Sequence, residues 1–194
     1  YSGVFGGTME RLAEKESRLV AITAAMMAGT GLTGFASKFP SRFYDVGISE
    51  EHAVVFAAGL ACRGFLPVVA IYSTFSQRIV DYVIHDVCLQ KLPVIFCLDR
   101  GGIVGDDGPT HHGVFDIALF RSVPNLVFMQ PKDEAELARM LHSAVRWSRP
   151  VMIRYPRGAG PGTPVPEVLE EIPFGRAEVV RKGDEVQFWA LGDM

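Results

Sequence analysis

Two six-residue apolar runs, Pro67–Tyr72 (PVVAIY) and Pro93–Leu98 (PVIFCL), constrain this chain more than any other feature. Neither alternates polar with apolar residues, so neither has a face to give to water. Strands of this kind sit inside a parallel sheet that is covered on both sides. Shorter runs recur at Leu19–Thr23, Arg42–Val46, Asn125–Met129 and Val151–Tyr155. Between the runs, apolar residues change to the three-and-four spacing of helices. Ala53, Phe56, Ala57 and Leu60 make one stripe, and Ile79, Val80, Val83, Ile84 and Val87 a second. Leu137, Met140, Leu141, Ala144 and Val145 make a third, with Asp133 in capping position ahead of it. Strand and helix in alternation imply right-handed βαβ crossovers. The expected fold class is therefore α/β, a parallel sheet with helices on both faces.

At 194 residues and 48% hydrophobic content the chain can bury one full core with a remnant of another. A formal charge of -3 gives no electrostatic case for nucleic acid or an anionic membrane, so an anionic ligand must be held by local arginines. No apolar run reaches membrane-spanning length, and no basic-then-apolar leader opens the chain. Cys62, Cys88 and Cys97 show no CxxC spacing and read as buried free thiols in a reducing compartment. Pro156–Pro166 holds four prolines and three glycines. That composition divides the chain into a first domain at 1–158, a linker at 159–175 and the start of a second domain at 176–194. A hairpin is expected over Glu178–Leu191, turning at Lys182-Gly183-Asp184. A chain that opens at Tyr1 and stops at Gly192-Asp193-Met194 reads as a piece of something longer.

Candidate chemistry gathers at the ends of the strands, where open α/β sheets bind ligands. Asp99–Asp116 (DRGGIVGDDGPTHHGVFD) packs one arginine, four aspartates, two histidines and five glycines into a single loop. Its Asp106, Asp107, His111 and His112 lack the spacing of a metal site, and adjacent histidines point in different directions. Proton transfer or hydrogen bonding to a substrate hydroxyl suits them better. Glu50 and Glu51 open an apolar helix. They either complement the helix dipole or, desolvated beside a ligand, exchange protons. Tyr72, Phe75 and Arg78 surround a strand-to-helix turn. Phe75 could stack on a flat heterocycle or simply pack in the core, while Arg78 sits where the helix dipole disfavours a cation. Arg100, Arg154 and Arg157 follow two strand ends and could converge on a phosphate or form surface ion pairs. Gly29–Gly34 matches GxGxxG, but Pro40 stops the helix too soon for a dinucleotide site, and a tight loop is expected. His52, His85 and His142 read as structural or surface residues.

Taken together, AITAAM at 21–26, GTGL at 29–32, RFYDVGISEEHAVVFAAGLA at 42–61, IYSTFSQR at 71–78, the Asp99–Asp116 loop and RYPRG at 154–158 resemble the 1-deoxy-D-xylulose-5-phosphate synthase family. These are transketolase-like enzymes dependent on thiamine diphosphate. The resemblance runs through nearly the whole chain and covers the family's pyrimidine-binding domain and the first residues of its carboxy-terminal domain. It implies condensation of pyruvate with glyceraldehyde 3-phosphate and release of CO2, a step toward isoprenoids, thiamine and pyridoxal. It implies that Glu50 hydrogen-bonds the aminopyrimidine and so assists removal of the thiazolium proton. Phe75, Arg78 and Ile48 would lie beside the cofactor, Arg100 and Arg157 would hold the substrate phosphate, and Tyr72, Asp107 and His111 would line the substrate side, with His111 also catalytic. Glu51 and His112 stand where the family usually has glutamine, and Met27 where it has proline. The family's glycine-aspartate-glycine to asparagine motif for Mg2+ and diphosphate does not occur here, so no metal ligand is expected in this chain. Mg2+ and diphosphate would bind an amino-terminal domain of the same protein, and the chain alone would be inactive. The resemblance also implies a homodimer and a bacterial cytoplasmic location, or a plastid one in a plant. Two other readings compete: a non-catalytic docking module, and a subunit of a split transketolase-like enzyme.

Overall fold

All six apolar runs become strands in the computed structural model, which describes residues 1–192. They are β1 (Leu19–Thr23), β2 (Phe43–Asp45), β3 (Leu66–Tyr72), β4 (Ile95–Asp99), β5 (Val127–Met129) and β6 (Val151–Arg154). Every neighbouring pair is parallel, in the order β2-β1-β3-β4-β6-β5. The central strands β1, β3, β4 and β6 are buried at every residue. The two shortest, β2 and β5, each keep only three residues and stand at the sheet's edges, where a short strand limits unwanted pairing.

The period of two sorts the side chains into two cores. Leu19, Ala21, Val68, Ala70, Ile95, Cys97, Val151 and Ile153 face one layer, with α1 (Ser2–Lys15), α2 (Thr33–Lys38) and α6 (Glu134–Trp147). Ile22, Val69, Ile71, Phe96, Leu98 and Met152 face the other, with α3 (Glu50–Cys62) and the helical segment after β3. Asp133 caps α6 as expected, its Oδ1 accepting the Glu136 N–H at 2.8 Å.

Five expectations need correction or extension. The helix striped by Ile79–Val87 is not a regular α-helix. It runs as 3₁₀ over Ser73–Ile79, a single α turn α4 (Val80–Tyr82), then π over Val83–Cys88. Ser76 Oγ and Gln77 Nε2 donate to the carbonyls of Ser73 and Thr74, so side chains compete with the α ladder at its start. A short α5 (Asp116–Phe120) completes that face. Helix α1 has no counterpart in the sequence reading, because three glycines mask its stripe of Phe5, Met9, Leu12 and Ala13. Gly6 is required there, since a Cβ would lie 2.1 Å from the Gly31 carbonyl oxygen.

The hairpin over Glu178–Leu191 does not form, and no strand or helix follows Arg154 among the described residues. Val179, Val180, Val186, Phe188 and Trp189 are all exposed, and two strands without a surface to cover are marginal in water. Residues 193–194 of the expected second domain lie outside the described residues. The linker, by contrast, is a strap. Arg11 donates to the carbonyls of Pro166 and Glu167, the Ile172 N–H reaches Ser143 Oγ, and Phe174 meets Trp147 edge-on. Finally, Cys62 is exposed at the end of α3, whereas Cys88 and Cys97 are buried. Burial pushes the Cys88 thiol up to about 12 and the Cys97 thiol further, which keeps both inert.

Candidate active site

The carboxyl ends of β1, β3 and β4 open into a cleft of about 340 Å³ lined by Met26, Tyr72, Arg100, Asp107 and His111. A larger concavity, about 450 Å³, lies at the β2–α3 edge and is lined by Phe43, Tyr44, Asp45, Val46, His52 and Phe56. Its lining has no arginine or lysine, so the converging charge is in the smaller cleft.

Arg100 is the hub. It follows β4 directly and holds φ at +63°, a left-handed conformation that costs a non-glycine residue about 1–3 kcal/mol. Its Nε donates to Asp107 Oδ2 at 2.9 Å and its Nη1 to the Gly29 carbonyl at 3.2 Å. Its guanidinium lies 3.8 Å from the centre of the Tyr72 ring, with Asp99 at 3.4 Å. Arg157 Nε approaches the same Asp107 oxygen at 3.0 Å. One carboxylate thus bridges two arginines that arrive from separate loops. The Arg100 hydrogen bond, with Arg157 adding to it, holds the Asp107 carboxyl below the usual range. Burial does the reverse to Asp99, whose carboxyl is fully buried, raised, and bonded by Ser2 Oγ at 2.6 Å.

Three rings continue the cleft. Tyr72 stacks on Phe75 with centroids 5.9 Å apart, and His111 meets both edge-on at 6.4 and 5.7 Å. Burial raises the Tyr72 phenol, with Arg100 opposing it. Arg78 lies over the Phe75 ring, 5.0 Å from its centroid, and Nη1 donates to Glu50 Oε1 at 2.9 Å. Glu50 is buried to 4% side-chain exposure in the first turn of α3, while Arg78 is 47% exposed. The cation that the helix dipole disfavours is therefore held by a buried carboxylate from another element.

Most of the expected site residues are thus brought together: Glu50, Tyr72, Phe75, Arg78, Arg100, Asp107, His111 and Arg157. Ile48 stands 80% exposed on the loop ahead of α3 and is not part of the cleft lining. Arg154 leaves the arginine trio. It ends β6, is buried, and bonds Asp116, Gln130 and the Gly113 carbonyl. The adjacent histidines diverge as expected: His111 faces the rings, while His112 Nδ1 accepts the Val104 N–H at 3.2 Å. His85 pairs with Asp81 on the surface. Among the described residues no group of three or more His, Cys, Asp or Glu side chains is placed to hold a metal ion. The sequence reading gave no site role to Met26, Gly29, Asp99 or Ser2. Of these only Asp99 carried a signal, as an acid closing an apolar strand.

The family model described as "Transketolase, pyrimidine binding domain" matches residues 1–163. The chain is 60% identical over 192 residues to 1-deoxy-D-xylulose-5-phosphate synthase 1 of Geobacter sulfurreducens, covering 99% of this chain and 30% of that protein. It is 61% identical over 194 residues to the synthase of Methylacidiphilum infernorum, covering 100% and 31%. The chain therefore spans about 30% of the length of these relatives. Among solved structures, "Split gene transketolase, inactive beta4 tetramer" superposes with a TM-score of 0.76 at 28% identity, over 87% of this chain and 55% of that one. Transketolase of Campylobacter jejuni superposes with a TM-score of 0.73 at 23% identity, over 79% and 25%, which speaks for the fold alone. With a parallel sheet of this order and a family match over most of its length, the chain belongs to the transketolase pyrimidine-binding domain family, and its close curated relatives are 1-deoxy-D-xylulose-5-phosphate synthases.

Proposed function

We propose that this chain is the pyrimidine-binding portion of an enzyme that joins pyruvate to glyceraldehyde 3-phosphate with loss of CO2, forming 1-deoxyxylulose 5-phosphate. One observation carries the reading. A buried acid, Glu50, is joined through Arg78 to the Phe75–Tyr72–His111 rings, and these adjoin a cleft where one aspartate bridges two arginines.

The family implies thiamine diphosphate, and the residues present fit its pyrimidine half. Glu50 is buried with Oε1 on Arg78, which leaves Oε2 to bond a ring nitrogen, and half-buried Phe75 lies against the same Arg78. When bound, the thiazolium supplies the carbon nucleophile and the electron sink for decarboxylation. Glu50 holds a proton at the pyrimidine nitrogen and so sets the ring's tautomer. Arg78 neutralises Glu50 from behind, and the Tyr72–Phe75 stack excludes water from the ring's flank. Arg100 and Arg157 bind the phosphate through the guanidinium hydrogens that Asp107 and the Gly29 carbonyl leave free, and Asp107 holds the two side chains together. His111 moves a proton at the acceptor oxygen. Mg2+ and the diphosphate bind a different segment of the complete protein, and two copies assemble as a homodimer.

The test supplies the complete polypeptide with thiamine diphosphate, Mg2+, pyruvate and glyceraldehyde 3-phosphate. CO2 and 1-deoxyxylulose 5-phosphate are expected in equal amounts, and the isolated 194 residues are expected to give neither. Use of a ketose phosphate in place of pyruvate as donor, or robust turnover by the isolated chain, would overturn the reading.

A further inference from the structure

We propose that the buried Arg154–Asp116 pair is the positioning element of the cleft. It holds the Arg100 turn, the His111 loop and the Phe75 segment in one register. The inference rests on the proposed reading of the cleft. Neither residue lines the cleft, so both act through others.

The three segments that carry the site lie outside the sheet. The Arg100–Gly102 turn leaves β4, the Ser73–Ile79 segment leaves β3, and the 108–115 loop leads into α5. Arg154 stands at the end of β6, between β4 and β5, with its side chain 8% exposed. Its Nε donates to Asp116 Oδ2 at 2.7 Å, its Nη1 to Gln130 Oε1, and its Nη2 to the Gly113 carbonyl at 3.4 Å. Ser73 Oγ donates to the same Asp116 oxygen at 2.8 Å, which ties in the segment of Phe75 and Arg78.

The backbone closes on this pair at two glycines. A Cβ on Gly101 would lie 2.8 Å from Arg154 Nη2, so the turn rests flat on the guanidinium. A Cβ on Gly113 would lie 2.3 Å from Ser73 Oγ and 2.5 Å from the Arg100 carbonyl. Gly102 and Gly113 also exchange N–H to carbonyl bonds, both at 2.8 Å. All three segments therefore touch one ion pair anchored on a fully buried strand. A guanidinium is needed because three donor directions are used at once, which an ammonium cannot reproduce in a fixed plane.

The complete enzyme is compared with its Ser73→Ala, Arg154→Lys and Asp116→Asn variants by two readouts. The first is amide hydrogen exchange of peptides within 100–113 against peptides from β1 and β3. The second is KM for the phosphorylated aldehyde against thiazolium proton exchange. Ser73→Ala leaves the ion pair standing and keeps the test alive should Asp116→Asn fail to fold. We expect exchange within 100–113 to accelerate about tenfold in Arg154→Lys and a few-fold in Ser73→Ala, with β1 and β3 unchanged. The aldehyde KM should rise about five- to tenfold in Arg154→Lys while thiazolium exchange is kept, whereas Ser73→Ala, which frees the segment of Phe75 and Arg78, should slow thiazolium exchange as well. Unchanged loop exchange in both variants, or equal loss of protection across the sheet, would overturn the inference. Absence of product from the unsubstituted enzyme would instead overturn the reaction assigned above. The hydrogen-exchange comparison would still decide the positioning role.

Discussion

Arg100→Ala should turn a phosphate-selective enzyme into one that hardly distinguishes phosphorylated from plain aldehydes. A hydrogen bond to a charged partner is worth about 1.5–3 kcal/mol, hence roughly 10- to 150-fold in affinity. The structure places the expectation in the upper half of that range. Arg100 is already fixed by Asp107, by the Gly29 carbonyl and by the Tyr72 face, so binding need not freeze its rotamers. Ordering a free arginine would cost about 1.5–2 kcal/mol. We therefore expect KM for glyceraldehyde 3-phosphate to rise about 30- to 150-fold, KM for pyruvate to change less than about threefold, and turnover of unphosphorylated glyceraldehyde to be nearly unaffected. Arg100→Lys should fall between, since one ammonium cannot serve Asp107, Gly29 and a phosphate together. The assay is steady-state kinetics with each substrate varied at saturation of the other, run below the variant's melting temperature because Asp99 loses its cation. Equal increases in both KM values, or an equal penalty with the unphosphorylated aldehyde, would refute the reasoning.

Glu50→Gln should slow thiazolium proton exchange by about 10²- to 10⁴-fold whatever the acceptor, measured by NMR in deuterated buffer, and normal exchange would contradict the role of Glu50. Asp107 should titrate by carbon NMR below its ordinary 3.8, and Arg100→Met should bring it back up. Because its folded value is lowered, its contribution to stability is complete above the ordinary value and is lost as pH falls through the lowered one. A midpoint at or above 3.8 would contradict the bridge. Gly6→Ala should destabilise by about 1–3 kcal/mol in urea titration, through the Gly31 contact, although alanine favours a helix by about 1 kcal/mol over glycine.

The parallel sheet was legible because Pro67–Tyr72 and Pro93–Leu98 can be nothing but doubly buried strands, and each period change marked a crossover. Helix α1 was not, because Gly3, Gly6 and Gly7 lower its intrinsic propensity while tertiary contact with Gly31 demands one of them. The hairpin over Glu178–Leu191 failed for the opposite reason: its local pattern is right, but no apolar surface meets it. In the site, residue types identified Arg100, Asp107 and His111 as chemistry. They could not separate Arg157, which reaches Asp107, from Arg154 three residues earlier, which lies in the core. That difference is one of facing, set by where β6 ends. The Glu50–Arg78 pair joins residues 28 positions apart, and no spacing rule reaches across a helix and a strand.

The strand order has a consequence for how such a cleft can measure a substrate. Tyr72 ends β3, Arg100 and Arg157 follow β4 and β6, these three strands lie side by side, and Met26 follows β1 on the near flank. Three inter-strand gaps amount to roughly 14 Å. The site is thus graduated along the sheet's rim, with the acid end near β1 and β3 and the cationic end near β4 and β6. Length discrimination would follow from hydrogen-bonded strand spacing, the least compliant dimension in the molecule. A longer or shorter acceptor would have to be accommodated by a change of side chain at one end, because the rule itself cannot stretch.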